Sequence, residues 1–402
     1  MLHMNTKKEK IQESDLQGFK YFKKISHLLQ RLHNAACQRD KAQNRILHMD
    51  QYMTLMLLCM FSPISKSLRS MQQASQLQKV QKKLGVPRSS LGSLSEAARV
   101  FDSDLMLDII KELAIDVKPI AHSAKLKDIQ AILTIVDGTL LTALPKTVDA
   151  LWRDEDNKAY KAHVQYEILK GIPIRSTLTN GNVCEKRTLA QNLESGRLYV
   201  LDRGYAKYEL LQQIIDAESN FVCRVRDDAV YDIIEEKQLT AGDIQAGVLK
   251  DMIVKIGSQP VEESLRQPVR LLKLQLAEET EYSAVNIKYT GRVKPETMLV
   301  ATDREDLPAD VIALIYKCRW QIEIFFRFFK HVLGCRHLLS YCANGIELQI
   351  YAGIIVCLLI ALYTGRKPTL RTYEMFCWYL SGWASEDELT AHIEKLQDQQ
   401  IG

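Results

Sequence analysis

The sequence predicts an α/β protein in which a β-rich insertion interrupts the core and an all-helical region comes first. Three observations support this fold class. Apolar residues recur at helical spacing up to about residue 125, short β-branched runs separated by turns follow from about residue 130, and a long helical pattern returns after residue 307. The chain of 402 residues has room for two or three domains.

The predicted boundaries follow these changes of pattern. The segments are 1–125 for the helical region, 126–227 and 307–365 for the two parts of the α/β core, 228–306 for the β-rich insertion and 366–402 for a helical tail. In the first segment, Ser93 and Glu96 have the spacing of a capping box that opens a helix.

The helical region is basic. Residues 1–100 contain 17 Lys and Arg against 6 Asp and Glu, whereas the remaining residues contain 36 against 43. Clustered positive charge is typical of surfaces that bind polyanions, of which nucleic acid is the commonest. A basic, solvated helical face explains the same composition, so both interpretations stay open at this level.

The first part of the core contains two aspartates at predicted strand ends. The run AILTIVDGTLL (131–141) predicts a strand that ends at Asp137 and Gly138, and GRLYVLDRGYA (196–206) predicts a buried strand that ends at Asp202. A hairpin is predicted between them, and a helix and a further strand after them. The carboxyl ends of strands are where α/β sheets carry their chemistry.

Two apolar runs require comparison with a membrane span. The longer one, IYAGIIVCLLIALY (350–363), has fourteen residues, whereas a bilayer requires roughly 20. We therefore predict a buried helix and no membrane partner. The nine cysteines are scattered without zinc-site spacing, which is typical of small buried residues in a reducing compartment. We expect a cytoplasmic protein.

The stretch YKCRWQIEIFFRFFKH (316–331) predicts one helix with a polar stripe. At about 100° per residue, one face holds Tyr316, Arg319, Glu323, Arg327 and Lys330, and the opposite face holds Cys318, Ile322, Phe325 and Phe329. Taken alone, this pattern fits ordinary ion pairs on a solvated face, each worth a few tenths of a kcal/mol.

Asp137 and Asp202 favour a functional interpretation of that polar stripe. Together with Glu323 they supply three carboxylates from two strands and a helix. Carboxylate oxygens suit Mg²⁺ or Mn²⁺ better than sulfur or imidazole does. Two such ions about 4 Å apart activate an attacking oxygen and stabilise a leaving oxygen in phosphodiester chemistry. A two-metal site is therefore the leading hypothesis.

The same residues resemble a known family. Tyr316, Arg319, Glu323 and Lys330 match the signature Tyr-x2-Arg-x3-Glu-x6-Lys, and VDGT around Asp137 and LDRGY around Asp202 are similar to two further acidic blocks. These motifs resemble the YREK group of DDE transposases, the insertion-sequence-four group, whose catalytic domain has a ribonuclease-H-like fold with a β insertion. The resemblance covers roughly residues 130–365.

The resemblance implies specific roles. Asp137, Asp202 and Glu323 would be the catalytic acids that hold two Mg²⁺ or Mn²⁺ ions, and Tyr316, Arg319 and Lys330 would contact DNA. The reaction would be cleavage at the inverted-repeat ends of an insertion sequence, followed by attack of the freed 3′-hydroxyl on DNA. The expected partners are terminal and target double-stranded DNA, bound by a homodimer associated with the nucleoid.

Several other residues have weaker expectations. Relatives that cut through a hairpin stack a base on a tryptophan of the insertion. Here the four tryptophans (152, 320, 378 and 383) lie outside residues 203–319. In a hairpin pathway Tyr282, Tyr289 or another aromatic residue would have to replace it, and the pathway stays open. Four further residues could assist the site or only pack beside it: Arg203, Tyr205, His163 and Trp320.

Two alternatives to a transposase remain at this stage. A ribonuclease-H-like nuclease or resolvase would share the three acids and only hydrolyse, although it would not need the YREK cations or the basic region. A non-catalytic DNA-binding regulator would not need all three acids. A nucleotide-dependent motor is disfavoured because the sequence contains no GxxxxGK[ST] loop.

Overall fold

Helices precede the sheet in the computed structural model of the chain, which describes residues 20–35, 45–62, 67–120, 124–142, 147, 150, 158–257, 265–275 and 297–398. The described helices before the first strand are α1 (Lys20–Gln30), α2 (Leu32–Ala35), α3 (Met49–Met60), α4 (Leu68–Gln76), α5 (Gln78–Leu84), α6 (Leu91–Val100), α7 (Leu105–Asp116) and α8 (Ala124–Lys127). The predicted helical character of this region is confirmed.

The described strands form one mixed sheet of nine strands. Its described strands are β1 (Ile132–Thr142), β2 (Ala159–Glu167), β3 (Ile172–Asn180), β4 (Arg197–Leu201), β5 (Asn220–Val225), β6 (Tyr231–Glu236), β7 (Val248–Ile256), β8 (Val269–Gln275) and β9 (Thr297–Thr302). They lie in the order β3-β2-β1-β4-β5-β9-β8-β7-β6. Strands β1, β4 and β5 are parallel, and the other neighbours are antiparallel. The strands of the β-rich segment therefore extend the first five strands through β9.

Helices cover both faces of this sheet. The described helices after β1 are α9 (Glu185–Ala190), α10 (Tyr208–Asp216), α11 (Ala241–Gln245), α12 (Ala309–Cys318), α13 (Gln321–Arg327), α14 (Ala343–Thr364), α15 (Leu370–Ser381) and α16 (Glu386–Asp398). Ile135 of β1 packs in one core with Phe325 of α13, whereas its neighbour Val136 packs in another core with Leu189 of α9. Because side chains alternate along a strand, α13 and α9 lie on opposite faces of β1.

Helix α14 is the central helix of the larger core. It has 22 residues, and 89% of its most apolar 18-residue window, whose mean hydropathy is 2.2, is buried inside the protein. The predicted length of this helix was wrong. The apolar run has fourteen residues, but the helix Ala343–Thr364 is long enough to cross a bilayer. Burial against α3, α7 and β3 is what identifies it as a core helix.

Two local predictions in the first half of the chain are wrong. Helix α6 begins at Leu91 rather than after Ser93, because the Ser90 hydroxyl accepts a hydrogen bond from the Ser93 N–H and forms the N-cap. Strand β1 does not end at Asp137. Asp137 and the following glycine pair with Val164 and His163 of β2, so the hairpin continues the strand beyond the point where β4 ends.

The long helix predicted after residue 307 is not continuous. At Arg319 and Trp320 the backbone bonds tighten to the i→i−3 pattern between α12 and α13. A π-helical turn over Phe328–Val332 then follows α13. The predicted strand VNIKYTG (285–291) lies outside the described residues. The same is true of Tyr282, Tyr289 and Trp152.

Candidate active site

Asp137 and Asp202 lie side by side on neighbouring parallel strands. The last printed pair of β1 and β4 is Ile135 with Val200, so the same register aligns Asp137 with Asp202 two residues later. Neighbouring strands are about 4.8 Å apart. Strand β4 ends at Leu201 while β1 continues to Thr142, so Asp202 lies where β1 loses its parallel neighbour and the sheet opens.

Burial and charge both act on Asp137. Burial is the main cause that raises the pKa of Asp137 to about 7, the negative charge of Asp202 raises it further, and the Gly138 N–H and Arg319 lower it. The Gly138 N–H donates to Asp137 Oδ1 at 2.8 Å. Asp202 Oδ1 is buried and has no hydrogen-bond partner among the described residues.

Glu323 extends from α13 on the side of β1 that Asp137 faces. The buried side chains Ile322 and Phe325 fix this helix in the core, and the Phe325 ring centroid lies 5.6 Å from that of Tyr166 on β2. Arg319 Nη2 donates to Glu323 Oε1 at 2.7 Å. The guanidinium therefore neutralises the third predicted acid, and its positive charge also acts on Asp137.

The donor atoms present fit a hard divalent cation in part. Asp137 and Asp202 supply adjacent carboxylates, and the unpaired Asp202 Oδ1 is a buried acceptor that requires a positive or donor group. In the described part of the chain, no three His, Cys, Asp or Glu side chains lie close enough to hold a metal ion together.

The other residues of the predicted stripe differ in exposure. Tyr316 is buried rather than exposed, and burial raises the pKa of Tyr316 to about 12, with opposing effects of Arg319 and Arg224. Lys330 lies half-buried in the π-helical turn, and burial lowers its pKa. Trp320 is 51% exposed at the junction of α12 and α13. The predicted stripe is thus not one solvated face: Tyr316 is buried, Arg319 and Glu323 are paired, Lys330 is half-buried and Arg327 is exposed.

Two of the residues with weaker expectations, Arg203 and His163, differ in exposure. Arg203 is exposed, with Nη1 3.9 Å from Asp227 Oδ2. His163 is buried, and its Nε2 lies 2.8 Å from Thr179 Oγ1. Burial and Lys161 lower the pKa of His163 to about 4, so this imidazole is neutral at physiological pH and fits a structural role.

One acidic residue near the site was missed by the sequence interpretation. Glu185 begins α9, and its Oε1 lies 3.1 Å from Lys161 Nζ. Its charge contributes to the raised pKa of Asp137. Helix α9 has only six residues, so helical periodicity does not reveal it. The acid in its first turn is the sequence signal that could have indicated this residue.

Comparisons with known proteins agree on a family. Residues 129–359 match the family model described as "Transposase DDE domain". The y4zB protein of Sinorhizobium fredii, whose name describes a transposase, is 27% identical over 239 residues, which are 58% of this chain and 61% of that protein. A protein of Geobacillus stearothermophilus named as a transposase for insertion sequence element IS5377 is 22% identical over 277 residues, 69% of this chain and 68% of that protein.

A solved structure also matches at low similarity. The chain is similar to a piggyBac transposase in a synaptic complex with hairpin DNA, with a TM-score of 0.40 and 9% identity over 96% of this chain and 85% of that chain. A likeness at this level carries no argument about the site. The match to y4zB spans less than two thirds of that relative's length.

Proposed function

The chain belongs to the Transposase DDE domain family, and from this premise we propose that it cleaves DNA at the ends of an insertion sequence and joins the freed end to DNA. The observation that carries the proposal is the alignment of Asp137 with Asp202 at the open end of β4, with Glu323 on the helix above. Two carboxylates at one level, with a third acid on a helix that covers the same face of β1, suit phosphodiester chemistry.

A DDE transposase domain implies dependence on a divalent metal. We propose that Asp137, Asp202 and Glu323 hold two Mg²⁺ or Mn²⁺ ions. The bound ions would activate the attacking oxygen and stabilise the leaving oxygen. The chain's own contribution is to align Asp137 with Asp202 and to keep both largely out of bulk water.

Arg319 would link DNA binding to assembly of the acids. In the free protein its guanidinium is bonded to Glu323. A DNA phosphate, like a carboxylate, is a bidentate partner for arginine, so it can compete with Glu323 for this guanidinium. We propose that the phosphate takes Arg319 and releases Glu323 toward Asp137 and Asp202. Tyr316 and Lys330 would contact neighbouring phosphates, as the YREK signature implies.

Further parts of the proposal depend on the fold and on charge. The order β3-β2-β1-β4-β5, with β1, β4 and β5 parallel, supports a ribonuclease-H-like core. The excess of Lys and Arg in residues 1–100 supports a DNA-binding region there. Cutting two ends in concert favours a homodimer on DNA, at the nucleoid in the cytoplasm.

The proposal is tested with DNA duplexes that carry the ends of the element, incubated with full-length protein and Mg²⁺ or Mn²⁺. Wild-type protein should yield cleaved ends and joined products. Asp137→Asn, Asp202→Asn and Glu323→Gln should each abolish both products while DNA binding persists. Asp228→Asn is the control, because this exposed aspartate pairs with Arg226 and is not one of the three proposed ligands.

Each outcome of that experiment has a defined meaning. Cleavage without joined products by the wild-type protein would replace strand transfer by hydrolysis alone. Cleavage at wild-type rate in Asp137→Asn or Asp202→Asn would refute the assignment of these acids. DNA binding without cleavage in the wild-type protein, under conditions that support related transposases, would favour a regulator.

A further inference from the structure

Glu185 lies against the backbone of β1 next to Asp137. A Cβ atom at Gly138 would lie only 2.8 Å from Glu185 Oε1, so the missing side chain of this glycine makes room for the carboxylate. Lys161 Nζ is 3.1 Å from the same oxygen and fixes its position. The carboxylate of Glu185 is therefore held in place beside β1 rather than free in solvent.

Glu185 approaches β1 from the face opposite to Glu323. Gly138 points to the side of α9, whereas Asp137 points to the side of α13, because neighbouring residues of a strand alternate. Strand β4 ends at Leu201, so it does not pair with β1 beside Gly138. The charge of Glu185 nevertheless acts on Asp137, and the charges of Glu185, Asp137 and Asp202 all act on Tyr205, so the three acids lie near one another.

A buried hydroxyl next to these acids has no partner. Tyr205 is 1% exposed, and its hydroxyl makes no hydrogen bond to any described residue. Burial chiefly raises the pKa of Tyr205, and the charges of Glu185, Asp137 and Asp202 raise it further. The phenol therefore stays protonated among three acids, and a buried donor of this kind requires an acceptor.

We propose that Glu185 is a fourth carboxylate of the active site, which supplies an oxygen ligand to a divalent cation on the α9 side of Asp137. This inference rests on the proposed function. Asp137 would then share its two oxygens between a cation reached by Glu185 and a cation reached by Glu323. The Tyr205 hydroxyl would donate a hydrogen bond to a carboxylate oxygen of this set and orient it.

The proposal accounts for three observations that the three predicted acids leave unexplained. It explains why a glycine follows Asp137 inside a strand, where glycine is otherwise unfavourable. It explains why Glu185 is held by Lys161 close to two other acids, although like charges repel. It also supplies a buried acceptor set for the Tyr205 hydroxyl.

The test measures Mn²⁺ binding to the full-length protein by electron paramagnetic resonance of free Mn²⁺, without DNA. Glu185→Gln should raise the dissociation constant of at least one binding step about tenfold or more. Glu209→Gln is the matched control, because Glu209 pairs with Lys207 on an exposed part of the adjacent α10. It should bind Mn²⁺ as the wild-type protein does. Wild-type affinity in Glu185→Gln would overturn the proposal.

Two further variants separate ligation from charge and from folding defects. Gly138→Ala keeps the carboxylate but displaces it, since the contact is with the end of a flexible side chain. It should weaken Mn²⁺ binding with an unchanged circular dichroism spectrum. Glu185→Asp keeps the charge at a shorter reach and should also bind weakly. Wild-type binding by Glu185→Asp would mean a purely electrostatic effect and would overturn direct ligation.

Asp137→Asn and Asp202→Asn distinguish failure of the Glu185 ligand from failure of the proposed cation site. If both weaken Mn²⁺ binding and Glu185→Gln does not, the fourth ligand is refuted and the proposed function stands. If neither aspartate variant alters Mn²⁺ binding, the cation site itself is refuted, and the role of Glu185 is refuted with it.

Discussion

Arg319 and Glu323 form an ion pair of 2.7 Å across one turn at the start of α13. The side chains are 17% and 32% exposed, so the pair is screened by solvent only in part. Asp137 also interacts with this positive charge, because Arg319 lowers the pKa of Asp137. In the free protein the third predicted acid is therefore bonded to a cation that also acts on the first.

Replacing Arg319 by Met should separate its effects on metal and on DNA. Without the guanidinium, Glu323 loses its partner, so Mn²⁺ affinity of the free protein should rise. Loss of one phosphate contact should reduce the slope of log K against log salt for DNA binding by about 0.9. Titrations with Mn²⁺ and with end DNA at several salt concentrations measure both effects.

Arg327→Met provides the control for this prediction. Arg327 is exposed, and it also lies four residues from Glu323 on α13, but it forms no described ion pair with that acid. It should leave Mn²⁺ affinity unchanged. If Arg319→Met binds Mn²⁺ no better than Arg327→Met does, the ion pair does not compete with metal binding.

The raised pKa of Asp137 predicts a pH-dependent effect of Asp137→Asn on stability. The native pKa is about 7 and the ordinary value is 3.8. Between these values the native state keeps a proton that the unfolded state releases, so Asp137 makes the wild-type protein less stable as pH rises from about 4 to 7. Asparagine resembles the protonated form and does not titrate.

Thermal unfolding in EDTA tests the direction of this pH-dependent stability difference. The melting temperature of Asp137→Asn should equal that of the wild type near pH 4, exceed it increasingly up to pH 7 and remain higher by a constant amount above. Asp228→Asn, at an exposed position, should show no such rise. A difference between Asp137→Asn and wild type that does not change with pH would contradict burial of a titrating carboxyl at this position.

Sequence patterns predicted those features of the candidate site that depend on local structure. Asp202 follows a short apolar strand, and the back face of α13 is apolar at helical spacing, so both were predicted. The continuation of β1 past Asp137 was not predicted, because it depends on pairing with β2. Tertiary pairing of that kind leaves no signal in a local window.

Other features of the site depend on packing between distant elements. The π-helical turn Phe328–Val332 lies in an aromatic cluster in which Phe329 meets Phe325 at 5.5 Å between ring centroids. Burial of Tyr316 depends on its contact with the sheet through α12. Glu185 is near Asp137 only because Gly138 lacks a side chain. Such proximity cannot be read from spacing along the chain.

Gly353 allows α14 to approach the π-helical turn, and Gly353→Ala should therefore be destabilising. A Cβ at this position would lie 2.7 Å from Phe329 Cε2 and 3.1 Å from Cys335 Sγ. Overpacking of a core typically costs about 1–3 kcal/mol. Phe329 precedes Lys330, so displacement of Phe329 should also displace Lys330 and weaken DNA binding. Urea denaturation and a DNA titration measure the two effects.

Gly92→Ala is the matched control for that substitution. Gly92 lies in α6, where a Cβ would meet nothing closer than Ser90 Oγ at 3.7 Å. Alanine is preferred to glycine in helices by up to about 1 kcal/mol, so this variant should be as stable as the wild type or more stable. Equal destabilisation by both substitutions would exclude close packing as the cause.

A buried ion pair connects the β-rich strands to α12. Arg270 of β8 donates to both oxygens of Asp251 on β7 at 2.8 and 2.7 Å, and both side chains are 5% exposed. Arg270 also donates to the carbonyl oxygen of Leu307, just before α12. Removing one partner leaves an uncompensated buried charge, so Arg270→Met or Asp251→Leu should each cost about 3–5 kcal/mol.

The double variant Asp251→Leu with Arg270→Met should cost clearly less than the sum of the single variants, because no unpaired charge remains. Lys250→Met is the control, since Lys250 and Glu236 form an exposed pair of 3.2 Å on the neighbouring strands, where such pairs contribute about 0–1 kcal/mol. Urea denaturation of the wild type, the two single variants and the double variant completes the cycle, and Lys250→Met is measured beside it. Additive losses would mean that Arg270 acts through the Leu307 carbonyl rather than through Asp251.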